Sequence, residues 1–570
     1  MNKEDLLTKA KDAGWTEKTA FNYAEFKRQG GKDTDWHGAA KVYEWKDEYG
    51  DVGPRVEKLE KVLFGGEFLM RVGDHLENLE YNVVIEGPEK LDPIKNFADA
   101  GLHPVVMENV ELARYEAPTA IQQYTIPYIV QGHDVVAVAQ TGSGKTAAYL
   151  IPILSRLMGK ARKLSAPKPN IMDPLYNPRL HKVKAEPLLV VVVPTRELAI
   201  QIFDEARRMC YRSMLRPCVV YGGLPMSITM EELGKGCDIL VATPGRLCDM
   251  MDKPHVLTMS RVKFTVIDEA DKMLDADWEE ELQKIMSGGG KLILHTNEDA
   301  DHQYLMFSAT FPKAARALAR KYMSQDHVRI KVGRPGSAHK NILQNVIYVD
   351  QDMKRRATYD LLFGMEPGRT LIFCNSKITV DLLDDYLYNA GLPTTSIHAD
   401  RNQREREDAL RAFRTGRAPI LIATGVSARG WDIKDVKHVI NYDLPSGIYG
   451  GINEYIHRIG RTGRIGHQGL ATSLYNDRNE DLAQELVNVL VECECEVPDF
   501  LSQYKPEDGR VVFADDSDDD TDVAGPGAGI SAPASGWDVA PDHDDANGDS
   551  FTADTGFKTD KQGLAALGPW

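Results

Sequence analysis

The sequence predicts an α/β protein: two successive parallel-sheet domains with a cleft between them, an N-terminal arm, and a disordered acidic C-terminal tail. Three observations carry that reading. From about 95 to 335, short continuous apolar runs alternate with helix-length amphipathic stretches, the pattern of strands covered on both faces by helices. The same alternation restarts after the polar link VGRPGSAHKN (332–341). Residues 505–570 are rich in Asp, Gly, Ala and Pro and offer too little apolar surface for a core.

The arm, 1–94, is polar but carries Trp15, Phe21, Tyr23, Phe26, Trp36, Tyr43, Trp45 and Tyr49. Disordered segments are poor in aromatics, so the arm is expected to be partly ordered, on the body or on a protein partner. The first domain, 95–335, has strands expected at HDVVAVAQ (133–140), LLVVVVP (188–194), CVVYGG (218–223), DILVATP (238–244), FTVIDEA (264–270) and QYLMFSAT (303–310). The Pro-rich, basic segment 159–187 reads as a surface insertion. A linker at 336–342 leads to the second domain, 343–504, with strands expected at NVIYVD (345–350), RTLIFCN (369–375), TTSIHAD (394–400), PILIATG (419–425) and HVINYD (438–443). Ligands favour clefts between domains.

Composition removes several classes. The chain has 570 residues and a formal net charge of −17, which alone argues against a nucleic-acid binder. Residues 505–570, however, hold fifteen acidic and four basic residues, so the tail carries −11 and the rest only −6. That body can present a basic stripe. The longest apolar run, Pro187–Pro194, is far short of the roughly 20 residues of a membrane span, and MNKEDLLTKAKDAGW does not resemble a signal peptide. Seven scattered cysteines suit a reduced, intracellular chain better than a disulfide scaffold. A monomer without membrane contact is expected, cytoplasmic, with a nuclear or shuttling location left open.

Two constellations carry phosphate chemistry. AQTGSGKT (139–146) follows a strand, precedes a helix and fits G-x-x-x-x-G-K-[ST], except that Ala139 takes the first glycine's place. Across Gln140, Thr141, Gly142, Ser143 and Gly144, backbone N–H groups can turn toward phosphate oxygens at the helix N-terminus. Lys145 suits the β- and γ-phosphates of ATP, and the Thr146 hydroxyl suits Mg²⁺. VIDEAD (266–271) ends a second strand, where Asp268 suits the metal and Glu269 an attacking water. In EYIHRIGRTGR (454–464), Arg461 and Arg464 share a helical face and can aim at a γ-phosphate from the other domain.

In this order, the motifs resemble the DEAD-box RNA helicases of superfamily two. Asp268-Glu269-Ala270-Asp271 is a literal DEAD. PTREL (194–198), the doublet 222–223, TPGR (243–246), SAT (308–310), LIFCNS (371–376), ATGVSARGWD (423–432) and HRIGRTGR (457–464) resemble the successive family motifs, and YEAPTAIQ (115–122) the Q motif. The likeness spans about 95–500 and implies two RecA-like domains. LEKVLFGGE (59–67), EKLDPIKNF (89–97) and VGRPGSAHKNILQ (332–344) resemble the Vasa subgroup and its translation-initiation relatives.

The resemblance implies roles. Gln122 would read the adenine edge, Phe97 and Tyr115 would pack around the base, and Asp432 would contact the ribose. Asp271, Ser308, Thr310 and His457 would couple the nucleotide to RNA. Pro194, Thr195, Arg196, Gly223, Thr243, Gly245 and Arg246 on the first domain would line the RNA backbone, with Asn375, Gln403, Arg406, Thr424 and Gly425 on the second. Such groups contact phosphate and sugar without reading sequence. The implied activity is ATP-dependent, RNA-stimulated unwinding of short duplexes and remodelling of RNA–protein complexes; an ATP-gated RNA clamp is the alternative.

The chain also departs from the family pattern. Arg114 stands where the Q motif usually has Gly, and Ala120 for its second Pro. Gly425 stands where Asp or Ser is usual, and Trp431 for an aliphatic. The link 445–455 is longer than usual. The RGG-rich tails of many Vasa relatives are replaced by the acidic tail.

Overall fold

The computed structural model describes residues 52–65, 83–170, 173–178, 180–275, 278–287, 302–333, 340–425, 435–447, 450–463 and 468–506. The arm's aromatics at 15–49 and the acidic run at 515–522 lie outside the described residues.

Two tandem RecA-like domains follow one another in the chain, and both sheets belong to a single compact unit. The first sheet has eight strands: β1 (Val83–Glu86), β2 (Val135–Ala139), β3 (Leu189–Val192), β4 (Pro217–Val220), β5 (Ile239–Ala242), β6 (Phe264–Asp268), β7 (Gln303–Ser308) and β8 (Val328–Val332). Their spatial order is β1-β8-β2-β7-β6-β3-β5-β4, with only β1 antiparallel to its neighbour. The second has six parallel strands: β9 (Ile342–Tyr348), β10 (Arg369–Cys374), β11 (Thr394–Ile397), β12 (Ile420–Thr424), β13 (Val436–Asn441) and β14 (Gly469–Tyr475), ordered β11-β12-β10-β13-β14-β9.

Burial explains why the central strands read as unbroken apolar runs. Every residue of β2, β3, β5 and β6 is buried. Successive side chains point to opposite faces, so Val135, Ala137 and Ala139 join one core while Val136 and Val138 join another. In the second sheet, Leu371 and Phe373 likewise part from Ile372 and Cys374.

Three strands escaped the sequence reading. Near one edge of the sheet, β1 alternates between half-buried and exposed positions and β8 between buried and half-buried ones, and neither carries an apolar run longer than three residues. β14, with Gly469, Ala471, Thr472 and Ser473, is polar in composition yet buried, because β13 and β9 flank it. β9 also starts at Ile342, three residues before the expected strand and inside the segment assigned to the linker.

The segment 159–187 is tied to the first domain. Lys168 pairs with Asp238, and Val183 and Ala185 donate backbone hydrogen bonds of 2.8 Å each to the Gly234 and Val256 carbonyls. In the arm, the helix Glu57–Phe64 is held by Tyr211: its hydroxyl accepts from Val56 N–H at 2.8 Å and donates to Glu60 at 2.9 Å. No helix among the described residues is long and apolar enough to cross a membrane. All seven cysteines are free thiols.

Candidate nucleotide and nucleic-acid site

The phosphate loop joins β2 to the helix Lys145–Met158. Gly144 adopts φ 90°, a left-handed geometry natural to glycine, and a Cβ there would stand 2.6 Å from Gln122 Nε2. Ser143 Oγ closes the turn by donating to the Gln140 carbonyl at 2.8 Å. Lys145 Nζ donates to the carbonyls of Ala139 (2.7 Å) and Gln140 (3.3 Å). Burial pushes this ammonium's pKa down, against the opposing pull of Asp268, Asp271 and Glu269.

A capping box braces the loop from the side. Gln122 Oε1 accepts from Thr119 N–H and Gln122 Nε2 donates to the Gly144 carbonyl, both at 3.0 Å, while Thr119 Oγ1 donates to the Ser143 carbonyl at 2.7 Å. An amide has two N–H hydrogens and two acceptor lone pairs, so any pairing with a base edge uses what these bonds leave. Phe97 stacks on Tyr115 with ring centroids 6.4 Å apart, and the Tyr115 hydroxyl donates to Glu205 at 2.7 Å.

Asp268 ends β6, and burial raises its carboxyl to about 6. Its Oδ1 accepts from Glu269 N–H at 2.9 Å and its Oδ2 from the Tyr149 hydroxyl at 3.0 Å. Tyr149 also contacts the Thr146 side chain, and burial holds its phenol well above the ordinary range, so it serves as a neutral donor. Glu269 has φ 53° although it is not glycine, and its Oε2 is buried with no hydrogen-bond partner among the described residues.

The sheet order puts β7 between β2 and β6, so SAT lies between the phosphate loop and DEAD. Ser308 Oγ accepts from Asp271 N–H at 3.2 Å, and Thr310 Oγ1 donates to Asp271 Oδ2 at 3.0 Å.

The helix Gly451–Ile459 brings the second domain to this edge. Asn453, Ile456 and His457 line a cleft with Gln140, Thr141, Ala309 and Thr310. A Cβ on Gly460 would stand 2.5 Å from Thr141 Oγ1, so this helix end approaches the phosphate loop closely. Arg461 is buried, donates from Nε to the His457 carbonyl at 3.1 Å, and lies near enough to oppose the charge of Lys145.

A second junction forms from the nucleic-acid candidates. Arg196 follows Pro194 and the N-cap Thr195, lies over Gly223, and donates to Gln403 Oε1 of the other domain at 3.0 Å. Arg406 pairs with Glu197 at 2.5 Å. Burial lowers the Arg196 pKa first, and the neighbouring Arg406 and Arg246 guanidiniums lower it further. Thr243 holds the N-cap position of the helix Pro244–Met251, which carries exposed Gly245 and half-buried Arg246; Arg246 donates to the Leu224 carbonyl at 3.0 Å. Asn375 and Thr424 sit at adjacent strand ends, since β10 and β12 pair Cys374 with Thr424.

Asp432, Trp431 and Arg464 lie outside the described residues. Sequence reasoning missed Tyr149, Glu197, Asn453, Glu454 and Gly460. Their signal was position within or beside motifs, not residue type.

The donor set suits Mg²⁺. Thr146 and Asp268 offer hard oxygens bridged by Tyr149, among Glu269 and Asp271. Among the described residues no group of three or more His, Cys, Asp or Glu side chains is placed to hold a metal. Mg²⁺ commonly takes one or two carboxylates and completes its shell with water and substrate phosphate.

A phosphate loop, an acidic strand end beside it and an arginine from a second sheet define a P-loop protein of two tandem α/β domains. Family models match twice: DEAD/DEAH box helicase over 119–318 and helicase conserved C-terminal domain over 353–466. Two structures of S. cerevisiae Dbp5 bound to RNA and ADP BeF3, one a point variant, are 27% identical. They cover 70% and 72% of this chain and 93% and 97% of their own, with TM-scores of 0.56 and 0.58. A variant of the same protein bound to a Gle1 variant and IP6 is 28% identical, covers 70% of this chain and 92% of its own, and has a TM-score of 0.54. The chain belongs to the DEAD-box helicase family.

Proposed function

We infer that this protein is an RNA helicase that hydrolyses ATP under the control of bound RNA, opens short duplexes locally and remodels RNA–protein complexes, as a cytoplasmic monomer. One observation carries the reading: the same two domains meet at two places. Arg196 bonds Gln403 and Arg406 pairs with Glu197 across one side, and Gly460, next to Arg461, closes on Thr141 of the phosphate loop on the other. Closure therefore builds a cationic surface for a polyanion and a nucleotide site together. The Dbp5 structures bound to RNA and ADP BeF3 support the assignment.

In this mechanism the phosphate loop and Lys145 bind the phosphates; Thr146 and Asp268 would hold Mg²⁺, which would supply neutralisation of phosphate charge. Glu269 Oε2 orients an attacking water and accepts its proton. Arg461 and Arg464 stabilise charge at the γ-phosphate, and Asp432 contacts the ribose. Asp271, through Ser308 and Thr310, ties this chemistry to the RNA side.

The test is ATP hydrolysis by the full chain with RNA, with DNA and alone, beside single-turnover displacement of a short RNA strand. RNA-specific stimulation with displacement is expected. Stimulation with long-lived RNA retention and no displacement would make the protein a clamp, and equal rates with and without RNA would overturn the reading.

A further inference from the structure

The helix Gly451–Ile459 has two working faces. Asn453, Ile456 and His457 face the nucleotide loop. Glu454 and Arg458, one turn apart, face into the second domain; both side chains are 2% exposed and pair at 3.2 Å. Arg458 is anchored three further ways. It donates to the Asp443 carbonyl at 2.8 Å and to Asn375 Oδ1 at 3.0 Å, and lies 5.3 Å over the Phe373 ring. It thus touches the end of β10 and the segment after β13 at once.

Gly425, just past β12, abuts this pair. A Cβ there would stand 2.3 Å from Glu454 Oε1 and 2.8 Å from Arg458 Nη2. A side chain at 425 therefore competes with the Glu454 carboxylate for one space and also requires the Arg458 guanidinium to shift slightly. The departure from the family's usual Asp or Ser acquires a physical reason: here the carboxylate beside Arg458 comes from the helix, and the strand end is bare to admit it.

We propose that Glu454 is a positioning residue. Through Arg458 it locks the ends of β10 and β12, where Asn375 and Thr424 sit, to the helix whose other face meets the nucleotide loop. Glu454 and Gly425 then form one unit, tolerable only together. Motion imposed by RNA at these strand ends is carried to Asn453, His457 and Arg461 through a buried charge pair. Losing one partner of such a pair leaves the other uncompensated.

This inference rests on the RNA-dependent ATPase reading, and the wild-type control separates the two. ATP hydrolysis by the full chain is measured with and without single-stranded RNA, giving KM for ATP and for RNA. For Glu454→Ala, KM for ATP stays within about twofold of wild type, while the RNA-stimulated kcat falls about tenfold, the size expected of a lost coupling contact. Gly425→Asp alone, with two carboxylates crowded together, shows a similar loss. The double variant Gly425→Asp/Glu454→Ala moves the carboxylate from helix to strand end and recovers stimulation to within about threefold of wild type, the non-additivity of contacting residues. Glu454→Gln, nearly isosteric, carries the test if Glu454→Ala does not fold, and should lose stimulation with KM for ATP unchanged. Full RNA stimulation in a folded Glu454 variant overturns the proposal, as does a double variant no better than the singles. A wild-type rate indifferent to RNA overturns the functional reading and this inference with it.

Discussion

Glu269 and Arg114 hold left-handed backbone, at φ 53° and 59°, that residues with a Cβ seldom adopt. Each costs on the order of 1–2 kcal/mol, but they differ in what surrounds them. Glu269 begins the turn after β6, where its Oε2 is buried without a partner among the described residues, as befits strain kept at a functional site. Glu269→Gln preserves the shape and removes the proton acceptor. ATP binding should survive while kcat falls about 10²–10⁴-fold, the usual worth of a general base. Nucleotide titration beside steady-state hydrolysis checks this, and a wild-type kcat would reassign the base. Arg114 ends the turn before the Q motif, and its geometry explains why Gly is usual there. Arg114→Gly relieves strain and adds unfolded-state freedom. The net expectation is a gain of roughly 0.5–1 kcal/mol with no change in ATP hydrolysis, read by denaturant unfolding.

At the scale of elements, the sequence was legible where strands are central and motifs literal. β2, β3, β5 and β6 are apolar because both faces are covered, and the phosphate loop and DEAD follow two of them. β8 and β14 were hidden because a strand next to the sheet edge is half-buried on one face and alternates, and a flanked position lets Thr472 and Ser473 be buried in polar company. Pairwise contacts were not legible at all. Nothing in the spacing of Gly460 and Thr141, or of Glu454 and Gly425, announces that each pair meets. Gln122 is the instructive middle case, since its side chain closes the capping box over Thr119 and holds the Gly144 carbonyl. Thr119→Ala, which removes the cap without touching the amide, should cost about 0.5–2 kcal/mol of stability and weaken ATP and GTP alike. Gln122→Ala should weaken both and ATP further. Nucleotide affinities of the two variants measure the difference, and an identical ATP-to-GTP ratio in both would leave Gln122 a purely structural role.

For the whole molecule, the two junctions share the same pair of domains, and that sharing dictates a linkage. If closing the cleft builds both sites, whatever binds one helps the other by the same factor in both directions. A non-hydrolysable ATP analogue should therefore tighten RNA binding about 5–150-fold, and RNA should tighten the analogue equally. Arg461 bears on only one junction, near Lys145, whereas Arg196 and its bond to Gln403 bear on the other. Arg461→Ala should thus leave RNA affinity without nucleotide near wild type and abolish the mutual tightening. Arg196→Ala should weaken RNA at every nucleotide state and flatten the salt dependence, because one phosphate contact releases about one counterion. Titrations of RNA against analogue, repeated at two salt concentrations, separate these outcomes. If Arg461→Ala kept the full reciprocal factor, closure would not pass through HRIGRTGR (457–464), and the buried approach of Gly460 to Thr141 would be a packing contact alone.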